Sequence, residues 1–362
     1  MKFIPGMQLS GHFYNEAVQP LLAANFPDLP YSAARLEWGS DVLGFDTPMS
    51  MDHGWGPKLT LFLNEADAEK LHGPLDDLFA NHLPFEIRGI PTHFGEPLSD
   101  GGRIERRENY PIHHMVTITT PRQFFLDTLG VDVTLSMTPA VWLTAPQQRL
   151  RTVRSGQIYH DGLGTLTDLR RRFHWYPEDL WRYLLANQWQ RIDQESPFLG
   201  RTGIVGDELG SRLLAGRLIT DLMNLAFLIE RRYAPYWKWF GSAFQQLTLG
   251  PELTSIFQTV LDSQTWETRE YHLVRAYLKM VEAHNALGLT VEIPVKVAYF
   301  HDRPFLVPPS GKIVEALLEG ITDPGVKALP QRLGSIDQIS DNTDLLDELD
   351  RCKQLRGLYS SP

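Results

Sequence analysis

The chain has 362 residues, 43% of them hydrophobic, which is length for two domains and too much apolar material for a disordered protein. Its 34 basic and 44 acidic residues leave a net charge of −10, so no global attraction for nucleic acid exists and small-molecule partners are favoured. The single cysteine, Cys352, excludes an internal disulfide framework and a cysteine-based metal site and suits a reducing cytoplasm. With no apolar run of about 18 residues and no long apolar stretch near the start, neither a membrane span nor a secretory signal is expected.

Residues 8–26 read as a helix with Phe13, Ala17 and Leu21 on one face, interrupted at Pro20. Residues 32–38 read as a strand running into Gly39–Ser40, and Lys58–Leu63 as a second, short apolar strand. Asp67–Asn81 carries Ala68, Leu71, Leu75, Leu78 and Phe79 at helical spacing. Pro84–Ile90 is a third predicted strand and Met115–Thr119 a fourth, with the Gly- and charge-rich run 95–109 a loop. From about residue 121 helical patterns dominate. Ser211–Tyr233 aligns Leu214, Leu218, Leu222, Leu225 and Ile229 behind a capping region at Gly206–Asp207, and Trp266–Leu287 repeats the pattern with Leu273, Tyr277, Met280 and His284 before Gly288. Residues 291–307 read as extended with a turn at His301–Asp302. The expected fold class is α+β: an N-terminal α/β domain over 1–120 with a small mixed sheet, then a mostly helical domain over 121–362.

The segment that carries chemistry is Trp38-Gly39-Ser40-Asp41-Val42-Leu43-Gly44-Phe45-Asp46, continuing to Asp52-His53-Gly54-Trp55-Gly56-Pro57. A Gly-Ser pair at a strand end lets backbone approach a phosphate closely: Gly39 has no Cβ to obstruct it, and Ser40 offers a hydroxyl and an N–H. Eleven residues separate that pair from Asp52, which is expected to open the next strand beside the turn. A triphosphate needs its charge neutralised, which Mg²⁺ does through one or two carboxylates. Carboxylates at i and i+2 of a strand share a face and would grip one metal cluster.

The Gly-Ser, spacer, Asp-x-acid arrangement resembles the nucleotidyltransferase superfamily that includes polymerase β and the aminoglycoside nucleotidyltransferases. More specifically, the chain is similar to the family called domain of unknown function 4037. The supporting stretches are those two together with Gly206-Asp207-Glu208-Leu209-Gly210-Ser211, Tyr233-Ala234-Pro235-Tyr236-Trp237-Lys238-Trp239, His301-Asp302-Arg303-Pro304-Phe305 and Leu333-Gly334-Ser335-Ile336-Asp337-Gln338, spread over nearly the whole chain. The resemblance implies a nucleotidyltransferase-fold N-terminal domain, a nucleoside triphosphate held at Gly39 and Ser40, and Mg²⁺ held by Asp52. The third carboxylate of the superfamily sits on a following strand, where Glu86 is the candidate for metal binding and catalysis. A lysine of the helical domain reaches the triphosphate in related enzymes, which points to Lys238. One position departs from the pattern: the second acid is replaced by Gly54, and His53 would face the other side of a strand.

Other residues have plainer readings beside the chemical ones. Asp46 suits a turn cap with Thr47–Pro48, Glu86 an ion pair with Arg88 or a neighbour, and Lys238 a stem lying over Trp237 or Trp239. Asp207 and Glu208 suit a helix N-terminus better than a general base. Trp175, Tyr176, Trp181, Trp189 and the aromatic run 233–240 suit a core better than a base-stacking platform, and Arg170–Arg172 a solvated face better than a nucleic-acid patch. His113 and His114, adjacent in a strand, point to opposite faces and do not suggest a shared metal.

Two functions from different classes result. One is Mg²⁺-dependent transfer of a nucleoside monophosphate from a triphosphate to a hydroxyl or amine of a small molecule or protein. The other is a catalytically degenerate pseudoenzyme that binds a nucleotide or metabolite as a sensor or interaction module, which Gly54 favours. A third, nucleotidyl transfer to RNA, is disfavoured by the acidic balance.

Overall fold

The computed structural model describes residues 1–52, 54–96 and 102–359. The chain divides into two compact units, Met1–Ser136 with Arg149–His174, and Met137–Gln148 with Trp175–Pro362. The sequence places the break near residue 120. The first unit instead runs to Ser136 and takes back 149–174, because the strand Gln157–Asp161 pairs with Ser32–Arg35.

The first unit is built on a four-stranded mixed sheet ordered Met115–Thr119, Lys58–Phe62, Ser32–Arg35 and Gln157–Asp161. We call these strands third, second, first and fourth, after their order in the chain. The first and second are antiparallel, with Ser32 opposite Phe62; the second and third are parallel, with Lys58 opposite Met115. A parallel pair needs a crossover. The helix Glu65–His82 supplies part of it, started by Asn64, whose side chain accepts the Asp67 N–H at 2.9 Å. The second strand, Lys-Leu-Thr-Leu-Phe, is buried at every position, as a central strand covered on both faces must be. The first strand is likewise buried throughout.

The opening helical stretch runs Gly6–Phe13, passes through a wider turn at Tyr14–Val18 and continues as Gln19–Asn25. Pro20 therefore falls just after the wider turn, in the first turn of the last piece. Phe13, Ala17 and Leu22 join Leu59, Leu61, Leu75 and Phe79 in the core of this unit. Pro84–Ile90, predicted as one strand, is two two-residue strands, Glu86–Ile87 and Ile90–Pro91, which pair only with each other. Within the predicted loop 95–109, Arg103–Glu105 pairs with His93–Gly95.

The second unit is helical, and the α+β class expected from the sequence holds. Glu178–Ile204 and Glu208–Ile229 are its longest helices. Leu218, Leu222, Leu225 and Ile229 are buried as their spacing predicts, and Asp207 caps the second helix by accepting the Gly210 N–H at 2.8 Å. Trp266–Asn285 buries Leu273, Tyr277, Met280 and His284. The stretch 291–307 contains a short hairpin, Ala298–Tyr299 with Leu306–Val307, turning at His301 with φ 55°. Two glycines of the long helix make close packing possible: a Cβ on Gly200 would lie 2.3 Å from the Phe305 ring, and one on Gly203 would lie 2.0 Å from Trp266.

A polar network ties together segments far apart in sequence. Gln188 Nε2 donates to Asp221 Oδ1 at 3.0 Å, Arg191 Nε donates to the same oxygen at 2.8 Å, and Gln338 Nε2 donates to Gln188 Oε1 at 2.9 Å. Both carboxylate oxygens of Asp337 accept the Gln147 N–H at 3.1 Å, while Gln147 Oε1 accepts the Ala234 N–H at 3.0 Å. No helix among the described residues is long and apolar enough to cross a membrane.

Candidate functional site

The first strand ends at Arg35, and the chain turns through Trp38 and Gly39 into the four-residue helix Ser40–Leu43. Arg35 is 1% exposed and grips the turn through Nε and Nη2. Its Nε donates to Asp41 Oδ2 at 2.9 Å, and its Nη2 donates to Asp41 Oδ1 and to the Trp38 carbonyl, both at 3.1 Å. This two-pronged pair is the strong form of an arginine–carboxylate contact. Gly39 sits at φ 154°, and a Cβ there would lie 2.1 Å from Asp41 Oδ1 and 2.8 Å from Arg35 Nη2. Glycine is thus required by both conformation and space. Beyond the helix, Gly44 closes the turn at φ 78°, and the Phe45 N–H returns to the Ser40 carbonyl at 2.8 Å.

The second strand begins at Lys58, next to the first in the sheet. Lys58 is 4% exposed. Its Nζ lies 5.2 Å from the centroid of the Trp38 ring and 5.7 Å from that of Phe94. Among the described residues it has no hydrogen bond and no carboxylate within ion-pair distance. Burial, and then the nearby Arg35, pull its pKa down to about 8. Arg35 Nη1 is buried without a hydrogen-bond partner among the described residues; Glu37 Oε2 lies 3.9 Å away. Trp38 is 59% exposed. Half-buried Arg151 of the helix Gln147–Arg154 lies over the Phe45 ring at 5.6 Å.

The two predicted carboxylates stand on separate elements. Asp52, expected to open a strand, instead ends the 3₁₀ turn Pro48–Asp52 and is exposed. The strand starts six positions later, since Gly54 and Gly56 both take positive φ, 65° and 150°, and Gly54 bonds to the Gly102 carbonyl at 3.0 Å. The strand geometry invoked for positions 52 and 54 therefore does not apply, and His53 lies outside the described residues. Glu86 is exposed on its own hairpin, away from the main sheet in pairing. The third strand of the sheet is Met-Val-Thr-Ile-Thr, with no acid. Among the described residues no three His, Cys, Asp or Glu side chains group as a metal site. The donor set does not fit a carboxylate-held pair of magnesium ions.

The plainer readings divide: the helix-terminal and core roles hold, whereas Asp46, Glu86 and the Arg170–Arg172 run differ from theirs. Asp46 accepts the Gly6 N–H at 2.7 Å, anchoring the first helix rather than the Thr47–Pro48 turn. Arg88 pairs with Glu16, not Glu86, with Nε–Oε1 at 3.0 Å. Lys238 belongs to the second unit, is exposed on the helix Trp237–Gln245 and lies over the Trp239 ring at 5.1 Å. Glu208 accepts from Arg269. Trp175, Tyr176, Trp181 and Trp189 are core. Arg170 donates to the carbonyls of Val153, Arg154 and Ser155, and Arg172 to that of Val133. Sequence reasoning passes over Arg35 and Lys58. The available signal was a full charge inside each of two otherwise apolar or small-residue strands.

Residues 142–240 match the family model described as domain of unknown function (DUF4037). That segment contains two of the stretches on which the resemblance was read, Gly206–Ser211 and Tyr233–Trp239, whereas Gly39–Asp46, Asp52–Pro57, His301–Phe305 and Leu333–Gln338 lie outside the DUF4037 match. A solved structure of a nucleotidyltransferase-like protein from Exiguobacterium sibiricum is similar at 12% identity and a TM-score of 0.30, covering 82% of this chain and 83% of that one. At that distance no residue here takes its role from it. No curated protein matches the chain.

Proposed function

We propose that this is a nucleotidyltransferase-like protein whose first unit binds the phosphates of a nucleotide at the Gly39–Ser40 turn, as a sensor or interaction module rather than as a two-metal transferase. The observation that carries this reading is the turn itself. A buried arginine fixes this Gly-Ser pair at the end of the first strand, and Asp41 and Arg35 occupy the place of a Gly39 Cβ, so the Ser40 hydroxyl and N–H are what the turn offers an anion. The scattered carboxylates argue against metal-assisted transfer, because Asp52 and Glu86 share neither a strand nor a sheet.

The transferase reading makes a different demand: Asp52 holds Mg²⁺, Glu86 assists, Lys238 reaches the triphosphate, and a nucleoside monophosphate passes to a small-molecule or protein hydroxyl or amine. Pyrophosphate release from Mg-ATP across a panel of acceptors separates the two. Release abolished by Asp52→Ala establishes transfer and removes the sensor reading. Nucleotide binding by calorimetry that survives Asp52→Ala, without release, supports the sensor reading. Gly54→Asp sharpens the result. Aspartate tolerates the left-handed region that Gly54 occupies, and a gain of Mg²⁺ affinity identifies a decayed metal site.

A further inference from the structure

We propose that Lys58 and Arg35 form a metal-free oxyanion site beside the Trp38–Asp41 turn, in which the Lys58 ammonium supplies the positive charge that magnesium supplies elsewhere. The inference rests on the phosphate-binding reading of that turn and names how the phosphate is held.

Three observations carry it. First, both cations are buried, yet they are answered unequally. Asp41 takes up one side of Arg35, Nη1 is left without a hydrogen bond among the described residues, and Lys58, beside the rings of Trp38 and Phe94, has no hydrogen bond and no carboxylate within ion-pair distance among them. A buried charge without a counter-charge is costly, and native proteins keep one where something binds it. Second, both cations border the same turn: Arg35 donates to the Trp38 carbonyl, and the Lys58 Nζ sits over the Trp38 ring. Third, the charged groups acting on Lys58 are Arg35, Asp41 and Glu37, and Asp41 is already spent on Arg35. Burial and Arg35 together favour loss of the proton, so an arriving oxyanion would reverse that tendency.

The ligand class is a phosphate oxyanion, supplied by a nucleotide or by free pyrophosphate. The test is calorimetry on the full chain with ATP and with pyrophosphate, each in EDTA and in Mg²⁺. Wild type, Lys58→Met and Lys58→Arg are compared, with folding checked by thermal melting. The expected result is binding in EDTA that falls at least about tenfold in Lys58→Met, the loss of one charge-assisted contact, and is partly restored in Lys58→Arg. An independent readout avoids reliance on the variants: nuclear magnetic resonance of the Lys58 side chain in wild type, whose proton affinity should rise on adding pyrophosphate. Binding that requires Mg²⁺ and ignores Lys58→Met overturns this site while leaving the nucleotide reading standing. Pyrophosphate binding in EDTA that depends on Lys58, with no ATP binding in either buffer, upholds the site and ends the nucleotide reading. No binding of either ligand, with the Lys58 signal unmoved, overturns both.

Discussion

Lys58 in the first unit and Asp337 in the second are both ionisable groups that burial moves towards the neutral form, Lys58 down to about 8 and the half-buried Asp337 up to about 7. They differ in what surrounds them. Asp337 accepts a backbone N–H on both oxygens and belongs to a network that joins the stretches near 147, 234 and 337. Lys58 lies beside two aromatic faces and, among the described residues, has no hydrogen bond, with Asp41 and Glu37 acting on it only from beyond ion-pair distance. A buried charge with fixed partners organises a fold; one without them holds capacity in reserve for a ligand. Motifs that look alike in sequence, as short polar runs among apolar residues, thus divide into scaffold and site once their partners are known.

The comparison can be broken most forcefully at Lys58. Its proton affinity is depressed on folding, so the cost of holding the ammonium is present in full below about pH 8 and is relieved as pH rises towards 10.5. Denaturant unfolding should show stability from this group rising by about 3 kcal/mol over that window. Lys58→Met should lack the rise and be more stable than wild type at pH 7. A variant less stable than wild type there would show that the ammonium is answered after all. Gly39→Ala comes next. Its methyl must displace the Asp41 carboxylate from Arg35, and a loss of about 2–3 kcal/mol is expected together with loss of nucleotide binding. Intact affinity in this variant would remove the turn from the site.

Asp337 should respond in the opposite sense to Lys58. Its folded value is raised, so its contribution is complete below about pH 4 and is lost as pH climbs through 7. Because Asp337 is only partly shielded from solvent, the change should be roughly 2 kcal/mol rather than the full shift. Asp337→Asn should flatten it, read by unfolding at pH 5 and pH 8. The smallest effect belongs to Glu86→Gln, exposed on its hairpin. It should alter stability by under about 0.5 kcal/mol and leave nucleotide affinity unchanged; a marked loss of affinity would bring that carboxylate back into the site.

Much of the architecture was legible locally. Leucines at helical spacing marked a helix over Ser211–Tyr233, observed at Glu208–Ile229, and Gly39–Ser40 stood out as a Gly-Ser pair at a strand end. The strand Gln-Ile-Tyr-His-Asp at 157–161 escaped notice, since its half-exposed, polar residues lack the apolar alternation that identifies strands. Asp52 was misplaced for a conformational reason: residues 48–52 coil into a 3₁₀ turn, and two positive-φ glycines delay the strand to Lys58. Arg35 and Lys58 could not be matched to one turn from local pattern, because the sheet that unites them pairs residues more than twenty positions apart. Glu86 failed for the same reason in reverse. Its strand exists, but its hydrogen bonds go to Ile90–Pro91 instead of the central sheet.

The two dents in the long helix at Gly200 and Gly203 have a consequence for how the second unit comes apart. Each glycine costs about 1 kcal/mol of helix propensity against alanine, and each receives one aromatic ring, Phe305 or Trp266, in return. Phe305 belongs to the 298–307 hairpin, whose Leu306 N–H is also accepted by Glu270 at 3.1 Å. The hairpin is therefore riveted, and it should leave the helix as one piece when the ring withdraws. Amide hydrogens of Phe300 and Leu306 should then exchange at a common rate, set by that single unseating and not by fraying from the hairpin tip.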